Sequence, residues 1–221
     1  MILGLDTTGR DLKLGLTIAG DVRSRLFSND LRHSRQILPQ ILQFLEEEGE
    51  DLESIQALAF SQGPGSFTGL RIAVGVIQGL AYGLNLPVIP VPTMAIVAQA
   101  AGQQARVTRV LVAMHAREAE FYGAFYEGCD DVIPCLIGQA QVYTAEMLAN
   151  HDLASWSLAG DGVFLMEEQA DQTQGVIDIT SADVQNLLQI AEAMLAAGEV
   201  VSALEAAPLY VRETVAQKSR Q

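Results

Sequence analysis

Asp6-Thr7-Thr8 sets a carboxylate and two hydroxyls at the end of a short apolar run, Ile2 to Asp6. Such a set can face a hydrated cation with the carboxylate and phosphate oxygens with the hydroxyls. The same residues suit an Asx turn, in which Asp6 accepts the N–H groups that follow it, and this is the preferred reading. A second candidate is Gly63-Pro-Gly-Ser-Phe-Thr-Gly69, which runs from a strand pattern into a helix pattern. Orphan N–H groups at such a helix start attract anions. Gly63, Gly65, Ser66, Thr68 and Gly69 would shape that cradle, and Arg71, one turn on, can pair with a phosphate or a carboxylate. The loop lacks the Gly-Lys-Ser/Thr of a P-loop and the spacing of a dinucleotide fingerprint. As a plain turn it needs glycine dihedrals and uses Ser66 as the helix N-cap. The sequence leaves both readings open.

Other chemistry is sparse. His33, His115 and His151 share no close spacing, and no His-x-x-x-His or His-Glu-x-x-His pair occurs. No metal site and no catalytic residue are assigned. There is no Gly-x-Ser-x-Gly elbow, and Gly160-Asp-Gly162 reads as a turn. Cys129 and Cys135, six apart, read as ordinary thiols of a reducing compartment.

The elements that position these residues follow from periodicity. Ile2–Asp6, Leu12–Ile18 and Val22–Phe27 read as a three-stranded meander, and Ile37 to Leu45 as a helix with Pro39 in its first turns. A buried strand runs to Ser61, then the glycine loop, then a helix over Thr68–Leu84. Pro87 to Pro92 is extended, and Thr93 caps a helix to about Gln103. Strands return at Val107–His115, Glu120–Glu127, Gln139–Tyr143 and Trp156–Ala159. A short helix over Thr144–Asn150 and a long one over Ser181–Ala197 complete the pattern.

The helix after the glycine loop is the most informative element. Gly75, Gly79 and Gly83 recur every four residues and stack on one face. Each interior glycine costs roughly 1 kcal/mol against alanine. Three on one stripe imply close packing there. The rest is apolar almost all round, so its sheet covers one face and something else must cover the other. That cover is a neighbouring helix of this chain or a partner subunit. Ile37, Ile41 and Leu45 on the preceding helix, with Ile72, Gly75, Val76, Gly79 and Gly83, are the expected helix-pair docking surface. A purely internal core is the competing reading.

Composition bounds the function. The chain has 221 residues, 49% of them hydrophobic, 18% charged, and a net charge of −14. That excludes a disordered chain and argues against a protein that grips nucleic acid unaided. Residues 1–110 carry 10 acids and 9 bases; residues 111–211 carry 16 acids and one base, Arg117. The asymmetry predicts two units, 1–105 and 106–221. The tail holds Arg212, Lys218 and Arg220. The N-terminus has no basic n-region, and the apolar Ile72–Val91 stretch is broken by Gln78, Asn85, Pro87 and Pro90. A cytoplasmic protein with no membrane span is expected.

Taken together, Ile2-Leu-Gly-Leu-Asp-Thr-Thr8, His33-Ser-Arg35, Leu38-Pro39, Gly63-Pro-Gly-Ser-Phe-Thr-Gly-Leu-Arg71, Gly79-Leu-Ala81 and Pro208-Leu-Tyr-Val-Arg212 resemble the TsaB (YeaZ) family. The match runs in order along the whole chain, dense to about residue 100 and sparse after about 130. The resemblance implies an actin-like ATPase fold (sugar kinase/Hsp70/actin) with two lobes, each a mixed sheet flanked by helices. It implies a non-catalytic subunit needed for threonylcarbamoylation of adenosine in tRNAs that read codons starting with A. The implied partners are a TsaD-like transferase, a TsaE-like ATPase and a second copy of the chain, with tRNA held only indirectly, at most through the basic tail. ATP or ADP with Mg at the partner interface, or a weak ATPase or phosphotransferase activity at Asp6, Thr7, Thr8 and the Gly63–Gly69 loop, is the alternative. An older glycopeptidase label finds no protease constellation here. His115 stands where many members carry an acid, so no carboxylate role is assigned at that position.

Overall fold

The computed structural model describes residues 1–28, 36–149 and 151–211. His33, Arg35, Asn150, Arg212, Lys218 and Arg220 lie outside the described residues. In chain order the elements are β1 (Ile2–Asp6), β2 (Leu12–Ile18), β3 (Asp21–Phe27), α1 (Ile37–Glu47), β4 (Ala57–Ser61), α2 (Phe67–Leu84), β5 (Val88–Val91), α3 (Thr93–Ala105), β6 (Arg109–Arg117), β7 (Glu120–Glu127), β8 (Cys135–Tyr143), α4 (Ala145–Leu148), β9 (Ser157–Ala159), α5 (Glu167–Ala170) and α6 (Val184–Ala197). A 3-10 turn over Val163–Met166 and α5 are additions that the sequence pattern did not suggest.

Two units form. The first comprises Met1–Thr93 and Asp183–Pro208; the second comprises Met94–Ala182 and the described residues 209–211. The sequence suggested 1–105 and 106–221, so α3 and α6 have changed places. The reasons lie in glycines that clear room for each helix. Gly4 of β1 and Gly15 of β2 pair directly in the sheet. A Cβ on Gly15 would stand 2.7 Å from Leu188 Cδ1 and 2.9 Å from Val184 Cγ2. The paired glycines form the seat of α6 on the first sheet. Likewise α3 belongs to the second unit. A Cβ on Gly102 would stand 2.1 Å from the Cys129 carbonyl oxygen, and Gln99 donates to the Val132 carbonyl at 2.6 Å.

The first sheet has the order β3-β2-β1-β4-β5. β1–β2 and β2–β3 are antiparallel; β1–β4 and β4–β5 are parallel. Hairpins build one half and helical crossovers the other. Leu3, Leu5, Leu14 and Leu16 share a core with Ile41, Phe44 and Leu45 of α1 and Ala73, Ile77 and Ala81 of α2. Gly4 and Gly15, at alternating positions, serve the α6 side. Asp183 caps α6 by accepting from the Gln185 N–H, and left-handed Gly198 ends it.

The second sheet, β8-β7-β6-β9, repeats the plan with one strand fewer. β6, β7 and β8 form the meander, and β9 adds parallel to β6. Leu111, Phe121, Leu148, Leu158 and Met166 fill its core. β8 begins at Cys135, earlier than the Gln139 expected. Its first half is exposed on both faces, so burial periodicity carries no signal there.

The two thiols have opposite environments. Cys129 is buried, and burial pushes its thiol up to about 12; Cys135 is exposed. One alkylation per native chain is expected with iodoacetamide at pH 7.5, at Cys135, with Cys129 reacting only after unfolding. Peptide mass mapping reads the outcome, and equal labelling of both would contradict it.

Candidate functional site

The C-terminal ends of β1 and β4 lie side by side where their connections diverge, the usual ligand position in an open α/β sheet. Asp6 is buried there. Its Oδ1 accepts the Thr8 N–H at 3.0 Å and the Thr8 hydroxyl at 2.7 Å, and its Oδ2 lies 3.6 Å from Lys13 Nζ. This is the Asx turn, closed by an ammonium where a phosphate-bound cation would have to sit. The Thr7 hydroxyl donates to the Gly69 carbonyl at 2.9 Å, and the Ser66 N–H donates to the Thr8 carbonyl at 2.8 Å.

The glycine loop therefore lies directly on the Asp6–Thr8 turn. A Cβ on Gly65 would stand 2.6 Å from Thr8 Cβ, and one on Gly69 2.0 Å from the Thr7 carbonyl oxygen. Ser66 caps α2 by accepting the Gly69 N–H at 3.2 Å. Gly63 holds φ +112°, and its N–H and carbonyl both bond Thr93, at 3.0 and 2.9 Å. Thr68 and Arg71 are exposed, and the Arg71 guanidinium stacks 3.8 Å from the Phe67 ring centroid. The residues of both candidate phosphate loops hold one another. With Lys13 at the carboxylate and backbone packed on backbone, they do not fit a magnesium-bound phosphate between them.

The second unit uses the same device. The loop after β9 folds onto the end of β6: Gly162 N–H donates to the Ala113 carbonyl, and Asp161 Oδ1 accepts the His115 N–H, both at 2.9 Å. Gly160, at φ +109°, would place a Cβ 2.1 Å from the Ala113 oxygen. Gly160-Asp-Gly162 is thus a turn. Exposed His115 has its ring 5.5 Å from that of Phe164, and Arg117 pairs with Glu120 on the surface. Among the described residues no group of three or more His, Cys, Asp or Glu side chains is placed to hold a metal ion.

The docking residues separate by burial. Ile37, Ile41 and Leu45 are fully enclosed in the first unit's own core, because α1 lays that face on the sheet. Contrary to the expectation from the sequence, they are core residues and not docking residues; the outward side of α1 carries Leu38 and Leu42. Ile72 and Val76 are half-buried and pack against the same core. Gly75, Gly79 and Gly83 are exposed, with nothing within 4 Å of a Cβ added to any of them. The helix is therefore not buried on every side, and the purely internal reading fails. Phe67 and Tyr82, 57% and 77% exposed, extend the stripe at either end. Neither was among the docking residues expected from the sequence, although Phe67 continues the four-residue spacing toward the N-terminus. Among the described residues α2 alone has the length and composition to cross a membrane. Its inner face is committed to the sheet through Ala73, Val74, Ile77 and Ala81, as in a core helix.

Comparisons with known proteins agree with this architecture. The family model described as "TsaD: tRNA N6-adenosine threonylcarbamoyltransferase" matches residues 29–220. The tRNA threonylcarbamoyladenosine biosynthesis protein TsaB of Escherichia coli (strain K12) is 33% identical, covering 98% of this chain and 96% of that protein. Its Haemophilus influenzae counterpart is 30% identical over 98% of this chain and 95% of its own. The solved structure of YeaZ from Pseudomonas aeruginosa superposes with a TM-score of 0.82 at 33% identity, covering 94% of this chain and 99% of that one. Two mixed sheets with flanking helices make up the actin-like ATPase fold. Full-length similarity to these relatives, on that shared fold, makes the chain a member of the TsaB (YeaZ) family.

Proposed function

We propose that this chain is a non-catalytic scaffold subunit that docks a TsaD-like transferase through the outer face of α2 and helps recruit a TsaE-like ATPase. Its role in tRNA threonylcarbamoyladenosine biosynthesis comes with family membership. The observation that carries the scaffold reading is the bare glycine stripe. An 18-residue helix is about 27 Å long, and this one exposes Phe67, Gly75, Gly79, Tyr82 and Gly83 along one side. Glycines that touch nothing in their own chain cost helix stability without return, unless another backbone approaches them. The same face suits self-association in the absence of the transferase. The cytoplasm is the compartment of such a complex. The acidic second unit leaves tRNA phosphates to the partners.

Reconstitution tests this. Mixing the chain with a TsaD-like subunit, a TsaE-like ATPase, their substrates and tRNA should raise modified adenosine at least tenfold over the mixture lacking it, measured by nucleoside mass spectrometry. The chain should also co-elute with the TsaD-like subunit. Equal modification without it, or no co-elution, would remove the scaffold reading.

A further inference from the structure

We infer that the open edge of β8 docks an extended, basic segment of a protein partner, which joins the second sheet as an added strand. A strand at a sheet margin leaves a row of N–H and C=O groups to pair, and native proteins cover such rows or guard them with charge. The margins here are β3 and β5 in the first sheet and β8 and β9 in the second. β5 is covered: Val88 and Val201 exchange both backbone bonds, at 2.9 and 2.8 Å. β9 is covered too. The Leu158 N–H donates to the Gly175 carbonyl at 2.9 Å, and its carbonyl accepts the Ile177 N–H at 2.8 Å. β3 is guarded by Asp21, Arg23 and Arg25, and the two arginines pair with Glu48 and Glu47 at the end of α1. β8 has neither device. Among the described residues no strand pairs its outer side, and Cys135–Tyr143 holds no charged residue and no proline.

Shape and charge decide what such an edge takes. Val132, Ile133, Leu136 and Ile137, each at least 40% exposed, lead into it and run along its first half. That half is already held in place. Gln99 donates to the Val132 carbonyl at 2.6 Å, Pro134 is buried, and Cys135, Leu136 and Ile137 pair with β7. A preordered strand loses little entropy when another is added to it. The register shifts between Ile137 and Gln141, where Gly138 holds φ +75°, and this bulge divides β8. The added strand is therefore short and centres on residues 135–137. Main-chain bonds supply its affinity and alternate side chains its specificity. Charge selects its composition. Exposed Asp130 and Asp131 precede β8, and exposed Glu146 follows it. From residue 94 to 182 the chain has twelve acids against three arginines. That field draws a segment in which lysine or arginine alternates with apolar residues, and it repels a second acidic copy of this chain.

Calorimetry on the full-length chain at low salt tests this with three hexapeptides. One alternates lysine and valine, the second is the same peptide N-methylated at alternate amides, and the third has glutamate in place of lysine. Saturable binding is expected for the lysine peptide, at least tenfold weaker for its N-methylated form, and absent for the glutamate peptide. The N-methylated form keeps the charge and loses main-chain donors, so it separates strand addition from simple attraction. Cys135 lies on the edge and reports position: saturating lysine peptide should slow its alkylation by iodoacetamide at least fivefold. Leu136→Lys and Ile137→Lys, both at exposed positions, should each weaken binding at least fivefold with unchanged circular dichroism. Leu26→Lys, on the guarded edge of β3, should leave it unchanged. No saturable heat, equal binding of the N-methylated or glutamate peptide, unslowed alkylation of Cys135, or undiminished affinity in the folded β8 variants would overturn the proposal. A dimer of the chain alone that shields Cys135, seen by sedimentation, would assign the edge to a second copy and overturn it equally.

Discussion

The double variant Gly75→Leu/Gly79→Leu is expected to lose association at least about 100-fold while the isolated chain becomes more stable. The two effects have opposite signs because they arise on opposite sides of one helix surface. Within the chain, nothing stands within 4 Å of a Cβ at either glycine. The new side chains meet solvent, and each replacement recovers about 0.8 kcal/mol of helix propensity. The melting temperature should therefore rise by about 3–6 °C, at roughly 2–4 °C per kcal/mol for a chain of this size. A partner helix resting on the bare backbone would instead meet two leucines. A 100-fold loss corresponds to about 2.7 kcal/mol, within the cost of overpacking at two adjacent sites. Sedimentation velocity gives the assembly state and calorimetry the stability, for self-association and for the TsaD-like subunit alike. Unchanged assembly would show that this face is not the docking surface. Ile41→Glu cannot serve the same purpose. Ile41 is fully buried, so a carboxylate there would unfold the first unit rather than report on docking.

The sequence made the order of elements legible because most of them announce their own ends. Ser66 and Asp183 cap helices, Asn85 and Gly198 end them in the left-handed conformation, and the meander alternates between tight turns. The Asx turn was legible too, since Asp6 and its acceptor geometry lie within three residues. Ownership of helices was not. Whether α6 lies on the first or the second sheet depends on Gly4 and Gly15, strand residues about 170 positions away that are spaced like any other glycine in a strand. The orientation of α1 misled for a related reason. An apolar helix face reads alike whether it meets its own sheet or a stranger, so Ile37, Ile41 and Leu45 looked available. For α2 the glycines broke that symmetry. A stripe of small residues is wasted against a sheet that accepts leucine, and the structure leaves that stripe outside.

Gly69→Ala should lower the melting temperature of the chain by about 10–15 °C, and Gly160→Ala should have an effect of similar size. In each case the added methyl points at a carbonyl oxygen rather than at a flexible side chain: 2.0 Å to Thr7 for Gly69, 2.1 Å to Ala113 for Gly160. Neither neighbour can rotate away. To admit the methyl at residue 69, the first turn of α2 must lift from the Asp6–Thr8 turn. That lift breaks the bonds from the Thr7 hydroxyl to Gly69 and from the Ser66 N–H to Thr8. Gly160 adds backbone strain, because its φ of +109° suits glycine alone. Costs of about 4 kcal/mol are expected for such collisions, a large part of the roughly 5–15 kcal/mol that holds a domain together. Gly83→Ala is the control: it lies on the open side of α2 and should be neutral or stabilising. The pair of variants also judges the nucleotide reading. A loop built to part for a phosphate would have room for one methyl. A Gly69→Ala protein that melts within 2 °C of the parent would therefore return the Gly63–Gly69 loop to the list of anion sites. A collapse in stability would mean that the same backbone, packed tight, has become a structural joint.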